Sequence, residues 1–268
     1  MARDKGLLEL ACFNYESLFN AIAGEADRIE FCADSHLGGT TPKYQDLKRA
    51  LDGQKLPANV KCTPIHVMIR PRGGSFSYSD EEYNTMQDQV QQFGGVADGF
   101  VFGMLRSEDN KVDTERCKAL VELAKGKPCT FHRAFDVSNN MEEALDDVEE
   151  CGFSYILTSG GADKAVDGID HLVELAEMIE RKKYKVQLII GGGVRTNNLR
   201  KLRDTLTSVT WFHTSALEGD QNLPAKGQVN SMKILLNNPS YGSLPTSSSS
   251  PSEDGLASRS KETKGLDH

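Results

Sequence analysis

Short apolar runs rich in β-branched and aromatic residues alternate along the chain with longer polar stretches of helical period, the pattern of a parallel α/β fold. The runs Leu7–Phe13, Arg28–Ala33, His66–Arg70, Gly99–Gly103, Thr130–Ala134, Tyr155–Ser159, Val186–Ile190 and Thr210–Thr214 read as strands. Helices are predicted over 15–24, 43–52, 80–93, 114–125, 142–150, 168–182 and 197–206, one opened by the cap signal Ser79-Asp80-Glu81-Glu82 and another closed by Gly152. Eight strands with seven clear helices predict a (β/α)₈ TIM-type barrel. An open doubly wound sheet would carry a phosphate fingerprint after its first strand, and none is present. The eighth helix is the weak element, because Val229–Leu236 supplies only a short one. The barrel is therefore expected to close imperfectly, or to lean on another subunit to cover strand 8. The domain is expected over 1–238, followed by a disordered Ser/Pro-rich tail over 239–268 that is too polar to bury a core.

The formal charge of −8, from 31 basic and 39 acidic residues, argues against nucleic-acid binding, since a diffuse acidic surface repels phosphate. The cluster Arg181-Lys182-Lys183 reads as the charged last turn of a helix. No apolar run approaches the roughly 20 residues needed to cross a bilayer, and the N-terminus has no signal-peptide core. The six cysteines are widely spaced without a C-x-x-C pair, so they read as reduced thiols of a cytoplasmic protein, with the nucleus also open.

Barrel sites form at the C-terminal ends of the strands. There the chain places Cys32, Arg70, Arg72, His132, Arg133, Asp136, Thr158, Ser159, His213 and Ser215, more polar groups than packing requires. Arg70 and Arg72 flank Pro71 with the same parity, which predicts either a guanidinium clamp for a carboxylate or phosphate, or an ion pair of Arg70 with Glu30 or Glu9. Gly192 and Gly193 after strand 7, with Ser215 after strand 8, suit either anion binding through backbone N–H groups or a tight turn. His132 and Asp136 are candidates for a carboxylate-oriented histidine acting as general acid or base or as a metal ligand, or for a loop-holding pair. His213 carries the same two readings. Cys62, Cys117, Cys129 and Cys151 read as packing thiols, and His66 and Met68, which share parity with Arg70, either line the same face as it or fill the core.

Several uncommon strings recur in order: Ala26-Asp27-Arg28-Ile29-Glu30-Phe31-Cys32, Gly38-Gly39-Thr40-Thr41-Pro42, Ile69-Arg70-Pro71-Arg72-Gly73-Gly74, Thr130-Phe131-His132-Arg133-Ala134-Phe135-Asp136, Leu157-Thr158-Ser159-Gly160 and Phe212-His213 with Ser215-Ala216. With them the chain resembles the CutC family over roughly residues 7–216. The resemblance implies a copper homeostasis protein, self-associating, with Cu(I) held by cysteines on strands 1 and 2, here Cys12 and Cys32; soft Cu(I) prefers such ligands. The chain departs from the motif at Ala11, where the strand-1 cysteine usually stands, and at Phe13, Leu37 and Ile190. Cys12 comes one residue late, and a one-residue shift turns a strand side chain to the opposite face. Three readings follow: a copper-binding protein, a barrel enzyme acting on a small anionic or phosphorylated metabolite, and a scaffold. No particular reaction is assigned.

Overall fold

The structure, a computed structural model, describes residues 5–52, 63–215 and 226–238. Eight strands and eight α-helices alternate among them. They are β1 Leu7–Cys12, α1 Tyr15–Ala23, β2 Arg28–Phe31, α2 Tyr44–Asp52, β3 Ile65–Met68, α3 Asp80–Phe93, β4 Gly99–Phe102 and α4 Thr114–Leu123. Then come β5 Cys129–Phe131, α5 Met141–Glu150, β6 Tyr155–Thr158, α6 Ile169–Lys182, β7 Gln187–Ile190, α7 Thr196–Thr205, β8 Trp211–Thr214 and α8 Lys226–Asn237. All strand pairs are parallel, and β8 pairs with β1 from Leu7↔Trp211 to Leu10↔Thr214, which closes the barrel.

The two-residue period of the strands sorts their side chains. Leu8, Leu10, Ile29, Phe31, Val67, Phe100, Phe102, Phe131 and Phe212 point outward and are buried in the hydrophobic layer beneath the helices. Inward positions hold ionisable groups on β1, β2, β3 and β8 (Glu9, Arg28, Glu30, His66, His213) and apolar groups such as Val101, Leu157 and Ile189 elsewhere. Helix starts follow their caps. Ser79 and Glu82 form a reciprocal capping box on α3, and Asn14 and Ser17 form one on α1.

The expectation of an uncovered eighth strand is corrected, because β8 is paired on both sides and α8 runs for 12 residues. Val229, Met232 and Leu236 of α8 are fully buried, and Arg203 of α7 donates from Nη1 to the Leu235 carbonyl at 2.9 Å. An open strand edge thus gives no reason for a second subunit. The stretch 239–268, Cys62 and Ala216 lie outside the described residues. None of the described helices is long and apolar enough to cross a membrane, and the five described cysteines are buried free thiols.

Closure depends on how tightly α8 seats on α1. A β-carbon at Gly24, just after α1, would lie 2.5 Å from Val229 Cγ1, whereas one at Gly95 meets nothing within 4 Å. Gly24→Ala is therefore expected to lower unfolding free energy by about 1–3 kcal/mol in urea denaturation, while Gly95→Ala leaves it unchanged or slightly raised. Equal effects at the two glycines would contradict this packing.

Candidate functional site

Strand register assembles a row of charges across the barrel interior. Glu9 is aligned with Arg28 on β2 and with His213 on β8, and Ala11 with Glu30. The Arg28 guanidinium lies between the rings of Tyr155 and Trp211, 4.2 and 4.0 Å from their centroids. Its Nε donates to Glu9 Oε2 at 2.5 Å. Glu9 Oε1 lies 2.7 Å from His213 Nδ1, and His213 Nε2 lies 3.4 Å from Glu30 Oε2. Two cations and two anions thus alternate where water is almost absent; Glu9 is 1 % exposed and Glu30 3 %. Such a row persists because each charge has a partner; removing one strands its neighbour.

The environment separates the two carboxylates. Burial alone would raise the Glu9 pKa, but the Arg28 guanidinium and the His213 ring outweigh it and hold Glu9 well below the usual carboxylate range. Burial pushes Glu30 up, and the Glu9 charge adds to the rise against the pull of His213 and Arg28. For His213, burial favours the neutral ring, yet Glu30 and Glu9 overcome it and raise its pKa. A carboxylate oxygen beside each ring nitrogen favours the protonated form of His213.

Above this row opens a cavity of about 280 Å³ at the C-terminal strand ends. Of the residues singled out from sequence, Glu30, Cys32, Arg70 and His132 line it from the β2, β3 and β5 side. Arg133, Gly192, Gly193, His213 and Ser215 complete it. Arg72, Asp136 and Cys12 are not on its wall.

The arginines are engaged in holding loops. Arg70 Nη1 donates to the carbonyls of Leu37 and Gly39 at 2.8 and 2.9 Å, and Nη2 to that of Gly74 at 3.1 Å. Arg72 bonds Glu82 at 2.6 Å and the carbonyls of Ser75 and Ser77, at the start of α3. The two guanidiniums do not converge on one ligand, and the carboxylate partner in β1 belongs to Arg28 instead. Asp136 likewise does not orient His132. It accepts from Arg133 Nε at 2.7 Å, Thr158 Oγ1 at 2.5 Å and the Ser159 N–H at 3.0 Å, pinning the loop after β6.

His132 Nδ1 accepts from the Ala134 N–H at 3.3 Å, so the ring proton sits on Nε2, which is buried without a hydrogen-bond partner. Burial, then the Arg70 charge, push its pKa down to about 3. Gly103 makes room for this ring, since a β-carbon there would lie 2.8 Å from Nδ1.

The two metal-candidate cysteines face opposite ways. Cys12 is buried with Leu8, Leu10 and Leu18 in the helix-facing layer, its thiol beside Ser17 of α1. Cys32 packs inside with Met68 and Val101. Burial raises both thiols, and the Glu30 charge raises Cys32 further. Sequence reasoning passed over Arg28 and left His66 open between the face of Arg70 and core filling. Arg28 shares inward parity with Glu30 and Cys32 in a buried strand, and that parity was the available signal. His66 lies inside among the charges, held at a pKa of about 3 by burial and then by Arg28.

Glu9→Gln removes the anion between two cations. Unfolding free energy is expected to fall by about 3–5 kcal/mol, as for a broken buried pair, and the His213 pKa to drop in ¹⁵N NMR titration. The sign follows from linkage. A raised histidine pKa contributes stability below about pH 6.5, the unfolded value, and loses it as pH rises through the folded value, so the substitution should shrink that pH-dependent part. An unchanged His213 titration would contradict the row.

Comparison with known proteins agrees with this architecture. A model of the CutC family matches residues 6–218. The copper homeostasis protein cutC homologue of Homo sapiens is 38 % identical over 213 residues, covering 78 % of this chain and 73 % of the relative. The Caenorhabditis elegans homologue is 36 % identical over 218 residues, 81 % and 83 % of the two chains. A crystal structure of a CutC protein from Streptococcus agalactiae superposes with a TM-score of 0.70 at 30 % identity, covering 78 % of this chain and 98 % of that one. Thiamine phosphate pyrophosphorylase from Pyrococcus furiosus, at a TM-score of 0.56 and 16 % identity over 86 % of this chain and 95 % of its own, shares the fold alone. The chain belongs to the CutC family.

Proposed function

We propose that the protein acts through the mouth of its barrel as an acid–base site for a small anionic or phosphorylated metabolite. One observation carries the reading: Glu30 Oε1 is buried and without a hydrogen-bond partner on a carboxylate that lines the cavity beside His213. A buried polar atom left unpaired costs about 1–3 kcal/mol, which a ligand donor would recover. Its raised pKa suits Glu30 to take up and release a proton near neutral pH. On another wall Gly192 and Gly193, at φ +91° and +66°, turn the backbone beside Arg195, the side that would receive the anionic group.

The test is saturation-transfer NMR on a defined panel of small carboxylates, hydroxyketones and sugar phosphates. Binding of at least one member is expected, weakened about 10-fold or more in Glu30→Gln. Absence of binding across the panel, or binding indifferent to Glu30→Gln, would count against it.

A second reading keeps the copper role named for the relatives and rests on Cys32 with Met68. A β-carbon at Gly39 would lie 3.5 Å from Cys32 Sγ and 3.6 Å from Met68 Cε, so thiol and thioether side chains flank one spot. Those are soft ligands suited to Cu(I), which would have to displace the proton of a thiol whose pKa is raised. Cys12, on the other face, has no part in it. Anaerobic Cu(I) titration against a competing chelator should then lose binding in Cys32→Ala and retain it in Cys12→Ala; loss in both would restore the cysteine pair.

A further inference from the structure

Glu30 and His132 are both buried, both line the same cavity, and each presents one unpartnered polar atom. The two atoms differ in kind. Glu30 Oε1 is an acceptor of a carboxylate. His132 Nε2 is a donor, because Nδ1 already accepts from the Ala134 N–H and can carry no proton while it does. The ring is therefore neutral by its hydrogen bonding, and Phe76, with its ring centroid 4.9 Å away, packs against it. Asp136, the carboxylate nearest in sequence, accepts hydrogen bonds elsewhere and is not placed to stabilise a second proton on His132.

We infer that His132 is a neutral hydrogen-bond donor for a ligand oxygen, and that the substrate is a carbonyl compound from whose adjacent carbon Glu30 removes a proton. This rests on the acid–base reading of the mouth and names its substrate class. The step balances without any oxidant or co-reactant. The C–H bond breaks and its proton passes to a Glu30 oxygen. The electron pair moves into a new C=C bond as the carbonyl π pair shifts onto oxygen. The resulting enolate oxygen accepts the Nε2–H bond of His132. Return of a proton to the same carbon, after exchange with solvent, regenerates the carbonyl compound with the hydrogen exchanged; where the adjacent carbon carries a hydroxyl whose proton passes to the enolate oxygen, delivery to the former carbonyl carbon gives isomerisation.

A neutral imidazole suits this role better than an imidazolium, since it strengthens its hydrogen bond as charge builds on oxygen without surrendering a proton to it. The strong depression of the His132 pKa by burial and by Arg70 agrees with the assignment. His213 does not compete for the role, because both its nitrogens face carboxylates. Gly103 is a positioning residue: a methyl group there would press on the face of the ring that meets Ala134.

The experiment has two arms on the full chain. In the first, ¹⁵N-histidine NMR of the wild type reads the tautomer of His132. Nε2–H with no titration between pH 5 and pH 8 is expected for a ring whose pKa burial and Arg70 push down to about 3, and an Nδ1–H tautomer or an imidazolium at pH 7 overturns the inference. The second follows solvent deuterium entering pyruvate, hydroxyacetone and their phosphorylated relatives in D₂O. Exchange is expected in the wild type, abolished in Glu30→Gln and slowed about 100-fold in His132→Gln, a loss typical of one oxyanion donor. Exchange lost in Glu30→Gln but unchanged in His132→Gln overturns the donor role and leaves the acid–base reading standing. Panel members that bind while no carbonyl compound exchanges overturn the substrate class alone. A panel in which nothing binds removes both. Circular dichroism of His132→Gln separates a lost donor from a lost fold, and the tautomer arm needs no variant.

Discussion

Four ionisable side chains placed end to end in the buried barrel interior constrain the rest of this structure. Arg28, Glu9, His213 and Glu30 come from β2, β1 and β8, so the row forms only if β8 closes against β1 in the observed register. A slip of one residue would send Glu9 into the apolar layer under the helices, away from Arg28 and His213. The charges therefore fix closure as firmly as the hydrophobic layer does, and α8 completes the cover over that seam through Val229, Met232 and Leu236.

The same row sets the chemistry of the mouth. Glu9 is satisfied by Arg28 and His213 and stays ionised, which leaves Glu30, one level higher, with a raised pKa and a free oxygen at the cavity. The loops above are fixed by buried polar ties rather than by a ligand: Arg70 holds the loops after β2 and β3, and Asp136 holds those after β5 and β6. Fixed walls of this kind are what preorganisation requires, because donors need not be reoriented when charge develops.

Much of the fold was legible in the sequence. The eight strands and first seven helices lie within three residues of where periodicity and caps predicted them, since strands buried on both faces read as short apolar runs. The eighth helix was underestimated because Lys226 to Gln228 carry no apolar signal, yet they extend a helix anchored by later residues. The location of the site was legible too, since polar residues at strand ends gather at one mouth. Their pairings were not. Arg70 and Glu30 share inward parity, but which cation meets which carboxylate depends on inter-strand register, and periodicity within one strand carries no such information. The tautomer of His132 was equally invisible, being set by a backbone N–H two residues on. Cys12 is the converse case: parity alone turned it away from Cys32, and the closed barrel keeps the two on opposite faces.

Neutron diffraction from crystals grown in D₂O at neutral pH would test the central claim most directly, because it locates the protons on which the site depends. The account predicts deuterons on both ring nitrogens of His213, on Nε2 alone of His132, and none on either carboxylate oxygen of Glu9. A deuteron on Nδ1 of His132, or a His213 protonated at only one nitrogen, would contradict it.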